Sequence, residues 1–230
     1  LLDTEPLYTD AAQKVLDPHG HTYTMELKRK VMGGDSIRSA QLTVDEFDLP
    51  MTADEFLTAR ESYLKALFPE AKEIPGAGDY LRHLYSVNIP TGIATSSHRH
   101  LCDLKISHRD WRAVFNEIVC GDDTELHKSK PEPDIFLLCA RRMGIKAEDI
   151  VAFEDSRNGV LSAKDAGMTV VAIESPYTSP EDLQEADLVI ESYYALLSES
   201  FLALLEFFFF MYTATTEFYT SLFVGSVRCV

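Results

Sequence analysis

Residues 150–167 read IVAFEDSRNGVLSAKDAG, and this stretch decides the fold class. The apolar run Ile150 to Phe153 suits a strand buried on both faces, as the strands of parallel sheets are. Adjacent Glu154 and Asp155 emerge from it into a turn, and a helical segment closing at Gly167 follows. Strand, turn and helix in that order form the repeating step of an α/β sheet covered on both faces.

The same rhythm extends outward from this stretch. Strands are expected at Ile89 to Thr95, Glu117 to Cys120, Ile150 to Glu154, Thr169 to Ile173 and Leu188 to Ile190. PDIFLLCARRMG has the early proline, Pro133, and late glycine, Gly144, of a helix. Right-handed crossovers then give a doubly wound parallel sheet, Rossmann-like, with its working edge at the carboxyl ends of the strands. Upstream the pattern is helical. TADEFLTARESYLKALF places Phe56, Ala59, Tyr63, Ala66 and Leu67 along one face, and Thr52 with Glu55 gives a capping-box start. We therefore expect a small all-helical cap at residues 6–75 and an α/β core at 76–192. Residues 1–5 read as a remnant of the first core segment, and 193–230 as an atypical hydrophobic tail without caps or clear periodicity.

Three polar clusters fall at the ends of three expected strands. Thr95, Ser96 and Ser97 offer hydroxyls and backbone N–H groups to a tetrahedral anion, or simply cap the next helix. Lys130 can neutralise a phosphoryl group and a nearby carboxylate, or is simply a solvated surface lysine; it is preferred to its neighbour Lys128 because its place immediately before Pro131 fixes its geometry. Glu154 and Asp155 are two carboxylates at the end of a buried strand, costly without a shared cation, and hard oxygens of this kind suit Mg²⁺. Helix capping by Asp155 or Ser156 is the plainer use of that turn.

The 37 acidic against 21 basic residues give a formal net charge of -16, which repels nucleic acid and anionic membrane surfaces but allows a small phosphorylated metabolite in a locally cationic cleft. Cys102, Cys120, Cys139 and Cys229 show no CxxC or metal-finger spacing and read as reduced thiols of a cytoplasmic protein. The run Phe201 to Tyr212 is interrupted by Glu206 and falls short of the roughly 20 apolar residues of a spanning helix. The HxH pairs His19/His21 and His98/His100 lack a third ligand at a defined offset and read as solvated.

Taken in order, TSS, KPEPD and FEDSRNG behind a helical insertion resemble the haloacid dehalogenase-like hydrolase superfamily, in its group with a helical cap. VMGG (Val31 to Gly34), DLKISH (Asp103 to His108) and GDD (Gly121 to Asp123) look like the pseudouridine-5'-phosphatase group and its glycerol-phosphatase relatives. The resemblance implies an Mg²⁺-dependent phosphatase acting through an aspartyl-phosphate. Thr95 would hydrogen-bond the phosphoryl oxygens, with Ser96 and Ser97 in the substrate's reach. Lys130 would steady the nucleophile and phosphate charge, Asp155 would ligate Mg²⁺, and Glu154 would bind it directly or through water. LLDTE at the start of the chain resembles the tail of the family's D-x-D-G signature, so the nucleophile segment and the first strand are expected to lie upstream. On that reading the 230 residues are inactive as given, and two strand edges lack ladder partners. A sugar-phosphate mutase of the same superfamily and a non-catalytic metabolite- or protein-binding isoform are the alternatives. Glu5 and the Gly33-Gly34-Asp35 turn are candidate selectivity residues.

Overall fold

The computed structural model describes residues 1–31, 36–197 and 221–225. Four helices come first: α1 (Glu5–Leu16), α2 (Met25–Val31), α3 (Ser36–Glu46) and α4 (Ala53–Leu67). Two short strands, β1 (Leu2–Asp3) and β2 (Lys72–Glu73), pair antiparallel, a pairing absent from the sequence reading, and Leu1 and Leu2 pack into the core with Ile93 and Phe153. The α4 capping box is present: Thr52 Oγ1 accepts the Glu55 N–H at 3.2 Å, and Glu55 Oε2 accepts the Thr52 N–H at 2.7 Å.

The buried face of α4 differs from expectation. It consists of Ala53, Phe56, Arg60 and Leu64, while Tyr63 is exposed. The reason is Arg60, whose guanidinium lies 5.3 Å from the Tyr8 ring centroid and turns a charged position inward.

The core then runs α5 (Ala77–Ser86), β3 (Thr91–Thr95), α6 (Arg99–Ile106), β4 (Phe115–Cys120), α7 (Asp134–Met143), β5 (Ile150–Glu154), α8 (Arg157–Asp165), β6 (Thr169–Ile173), α9 (Pro180–Leu183) and β7 (Leu188–Ile190). β5, β6 and β7 coincide with the expected strands, while β3 starts at Thr91 rather than Ile89 and β4 at Phe115 rather than Glu117. Gly76, at φ 82°, caps α5. A side chain there would meet the Tyr194 backbone nitrogen at 2.7 Å.

The sheet order is β4-β3-β8-β5-β6-β7, all parallel, where β8 is Ser221–Gly225. β8 corrects two expectations. The slot between β3 and β5, expected to leave two open edges, is filled: Ile93 and Phe153 are both in register with Val224. Five residues of the stretch read as an atypical hydrophobic tail therefore form a strand paired on both sides within the sheet. The physical reason is that buried backbone donors and acceptors must be paired, and a short apolar run satisfies both neighbours at once.

Alternation along the strands splits the core into two layers. Ile93, Phe153, Val171 and Ile173 pack with Tyr80, Leu81 and Tyr193 on one face. Ala94, Ala152, Val170 and Ala172 pack with Phe136, Cys139, Val160 and Ala163 on the other. No helix among the described residues is long and apolar enough to cross a membrane, and the run Phe201 to Tyr212 lies outside those residues.

Candidate active site

β3 delivers Thr95, fully buried, to the carboxyl edge of the sheet. Its Oγ1 accepts the Ser97 N–H at 3.2 Å, and the Ser97 carbonyl accepts the Gly121 N–H at 2.8 Å. Gly121 permits this close approach, since a Cβ there would lie 2.3 Å from the Ser96 carbonyl oxygen. The loop after β3 is thus pinned from both sides, with Ser96 half-buried and Ser97 buried.

Lys130 is buried and donates from Nζ to Glu154 Oε1 at 2.6 Å and to the Ala94 carbonyl at 3.1 Å, with the Phe136 ring 4.7 Å from its ammonium. The peptide joining it to Pro131 is cis. Lys128 is exposed and pairs with Glu132. One ammonium therefore ties the end of β3, at the Ala94 carbonyl beside Thr95, to the end of β5, at Glu154 beside Asp155.

At the end of β5, burial pushes the Glu154 carboxyl up, the Lys130 charge opposes this, and neighbouring Asp155 adds to the rise. Lys130 fixes one Glu154 oxygen, and the other accepts the Asp155 N–H at 3.3 Å. Ser156, not Asp155, caps α8, its Oγ accepting the Gly159 N–H at 3.1 Å. The plain capping role and the buried carboxylate pair therefore coexist.

Two residues here were not foreseen. Lys105 on α6 is fully buried and donates to Ser97 Oγ at 2.9 Å and to the Tyr8 hydroxyl at 3.1 Å, linking the loop after β3 to the first helix. Its signal was legible: it stands three and four residues after Cys102 and Leu101, on the apolar face of its helix. Tyr193 packs against Phe153 and Tyr80 behind the carboxylates, and its hydroxyl is pushed well above the usual range by burial, then by Asp155. Of the GDD motif, Asp122 accepts the Arg99 N–H at 2.8 Å and Asp123 pairs with Arg142 at 2.6 Å. Of the selectivity candidates, Glu5 is buried and pairs with Lys28 at 3.3 Å, while Gly33-Gly34-Asp35 lies outside the described residues.

The donors fit Mg²⁺ in kind. Asp155 is a buried carboxylate at a strand end, and Mg²⁺ is commonly held by one or two carboxylates completed by water and substrate phosphate. Among the described residues no three His, Cys, Asp or Glu side chains gather to hold a metal by themselves.

The profile described as haloacid dehalogenase-like hydrolase matches residues 1–173. The chain belongs to this family. Within the haloacid dehalogenase-like hydrolases it is 41% identical over 196 residues to a probable pseudouridine-5'-phosphatase of Drosophila melanogaster, covering 84% of this chain and 85% of that protein. It is 38% identical to (DL)-glycerol-3-phosphatase 2 of Arabidopsis thaliana, covering 84% and 82%. Among solved structures, CbbY from Rhodobacter sphaeroides in complex with phosphate superposes with a TM-score of 0.71 at 26% identity, covering 88% of this chain and 94% of that one. A β-phosphoglucomutase from Clostridium difficile, at 19% identity and a TM-score of 0.75, shares the fold.

Proposed function

We propose that these residues form the phosphoryl-binding half of an Mg²⁺-dependent phosphatase for a small phosphomonoester such as pseudouridine 5'-phosphate or glycerol phosphate. The relatives named above as phosphatases support the reaction class. The observation that supports the reading is the Lys130 ammonium joined to both Ala94 and Glu154, which ties the end of β3 to the end of β5.

Thr95 hydrogen-bonds the phosphoryl oxygens, with Ser96 and Ser97 beside it. Lys130 neutralises the charge that builds there, the kind of electrostatic stabilisation phosphoryl transfer depends on. Asp155 holds Mg²⁺, which when bound supplies further neutralisation of the phosphoryl oxygens. Glu154, with both oxygens engaged, orients Lys130 and would contact the metal directly or through water. Residues 6–75 serve as the cap and 76–192 as the core. The setting is the cytoplasm, in keeping with the free thiols of Cys102, Cys120 and Cys139.

The sequence contains no D-x-D-G, and β8 with the residues after it, SLFVGSVRCV, carries no carboxylate. We infer that the 230 residues bind phosphate but do not turn substrate over. Phosphate release is the test, assayed with Mg²⁺ on this chain and on a version in which an upstream D-x-D-G strand replaces Ser221–Gly225 between β3 and β5, alongside isomer formation to detect a mutase. Release is expected only from the extended chain. Release by the 230 residues overturns the inactivity, and silence of the extended chain across a phosphomonoester panel overturns the phosphatase.

A further inference from the structure

Lys105 of α6 is fully buried, a costly place for an ammonium even when it is hydrogen-bonded. An apolar residue would have continued the face that Leu101, Cys102 and Ile106 form on the same helix. The ammonium instead donates to Ser97 Oγ at 2.9 Å and to the Tyr8 hydroxyl at 3.1 Å, with the ring centroids of Phe68 and Tyr8 at 4.4 Å and 5.1 Å. The first of these bonds reaches the loop after β3, two residues beyond Thr95.

An ammonium has protons to give and no lone pair, so Ser97 Oγ meets it only as an acceptor, and the hydroxyl proton turns away toward another partner. Thr95 repeats the pattern: its Oγ1 accepts the Ser97 N–H at 3.2 Å, which leaves its own proton to give. The Ser97 carbonyl accepts the Gly121 N–H at 2.8 Å, so the N–H, carbonyl and hydroxyl of Ser97 are all held from within the protein. Hydroxyls fixed as donors at the carboxyl edge of a sheet suit a ligand whose oxygens only accept. The dianionic phosphoryl group of a monoester is such a ligand.

We propose that Lys105 is a positioning residue for phosphoryl binding: it grips the Ser97 hydroxyl from behind and turns its proton toward an acceptor oxygen of the substrate's phosphoryl group. The proposal rests on the phosphatase reading and deepens it by setting the direction in which Ser97 donates. A donor oriented before the ligand arrives loses less freedom on binding, so the buried charge acts through the loop and not by touching the ligand. Tyr8 of α1 anchors the other side of the ammonium.

The test is calorimetric titration of the 230-residue chain and Mg²⁺ with methyl phosphate at pH 8, where this monoester is a dianion. Ser97→Ala and Lys105→Met should each weaken binding about tenfold, and the double variant should bind no more weakly than Ser97→Ala alone. A lysine that only holds the fold would lower the unfolding midpoint, and its effect on affinity would add to that of Ser97→Ala. Tyr8→Phe spares the Ser97 bond and should stay within about twofold of wild type. In the unsubstituted chain, the Lys105 Nζ resonance should shift as methyl phosphate saturates the site, a reading that does not depend on any variant folding. Additive losses, a Lys105→Met chain that binds as wild type, a Tyr8→Phe loss equal to that of Lys105→Met, or an unmoved Nζ resonance overturns the proposal. Lys130→Ala separates it from the phosphatase reading. Binding lost in Lys130→Ala together with additive Ser97 and Lys105 effects defeats this proposal alone, whereas no binding by wild type, or binding unchanged in Lys130→Ala, defeats both.

Discussion

Gly159 stands where the site tolerates no side chain: a Cβ there would lie 1.9 Å from Glu154 Oε2. Gly159→Ala must push the Glu154 carboxylate off Lys130, and disrupting a buried ion pair typically costs about 3–5 kcal/mol. Urea denaturation should show a loss of that order, and a midpoint equal to wild type would refute the packing described. A surface pair offers a pH test. The Arg142 guanidinium holds Asp123 below the usual carboxylate range, so its contribution is full above about pH 4 and fades as pH falls through the depressed value. Arg142→Ala should therefore lower stability at pH 7 and flatten the acid limb of a stability–pH curve. At this scale the sequence separated Lys130 from Lys128 through the proline that follows. It could not show that both Glu154 oxygens are engaged, because that depends on a lysine 24 residues away.

Among the elements, strands were legible where apolar runs stand between polar turns, as at Ile150–Glu154. Helix faces were less so, since Arg60 stacks inward on a ring supplied by another helix. β8 was not legible at all. Ser221–Gly225 is short and lies far along the chain from both its neighbours, and nothing local marks it as central. Val224→Pro removes a ladder donor from the middle of the sheet and should cost at least about 3 kcal/mol. Hydrogen exchange should show lost protection along Ile93–Thr95 and Ile150–Glu154, whereas unchanged protection there would contradict the pairing.

For the whole molecule, the joint between helical layer and core is a buried knot. Lys28 of α2 pairs with Glu5, donates to Thr9 Oγ1 at 2.6 Å, and meets Tyr177 of the core. Lys28→Met should destabilise by about 3–5 kcal/mol, read from chemical denaturation, because it strips a buried carboxylate of its ammonium. A loss under about 1 kcal/mol, the scale of exposed pairs, would show that the joint is solvated. The sequence by itself determined the layer architecture, the strand ends and the residue types offered there, because periodicity and turn chemistry are local. Only the tertiary structure decided which strand fills the centre of the sheet, how Lys130 divides its bonds between Ala94 and Glu154, and that Lys105 joins Ser97 to Tyr8. Those outcomes depend on long-range pairing, which no spacing along the chain encodes.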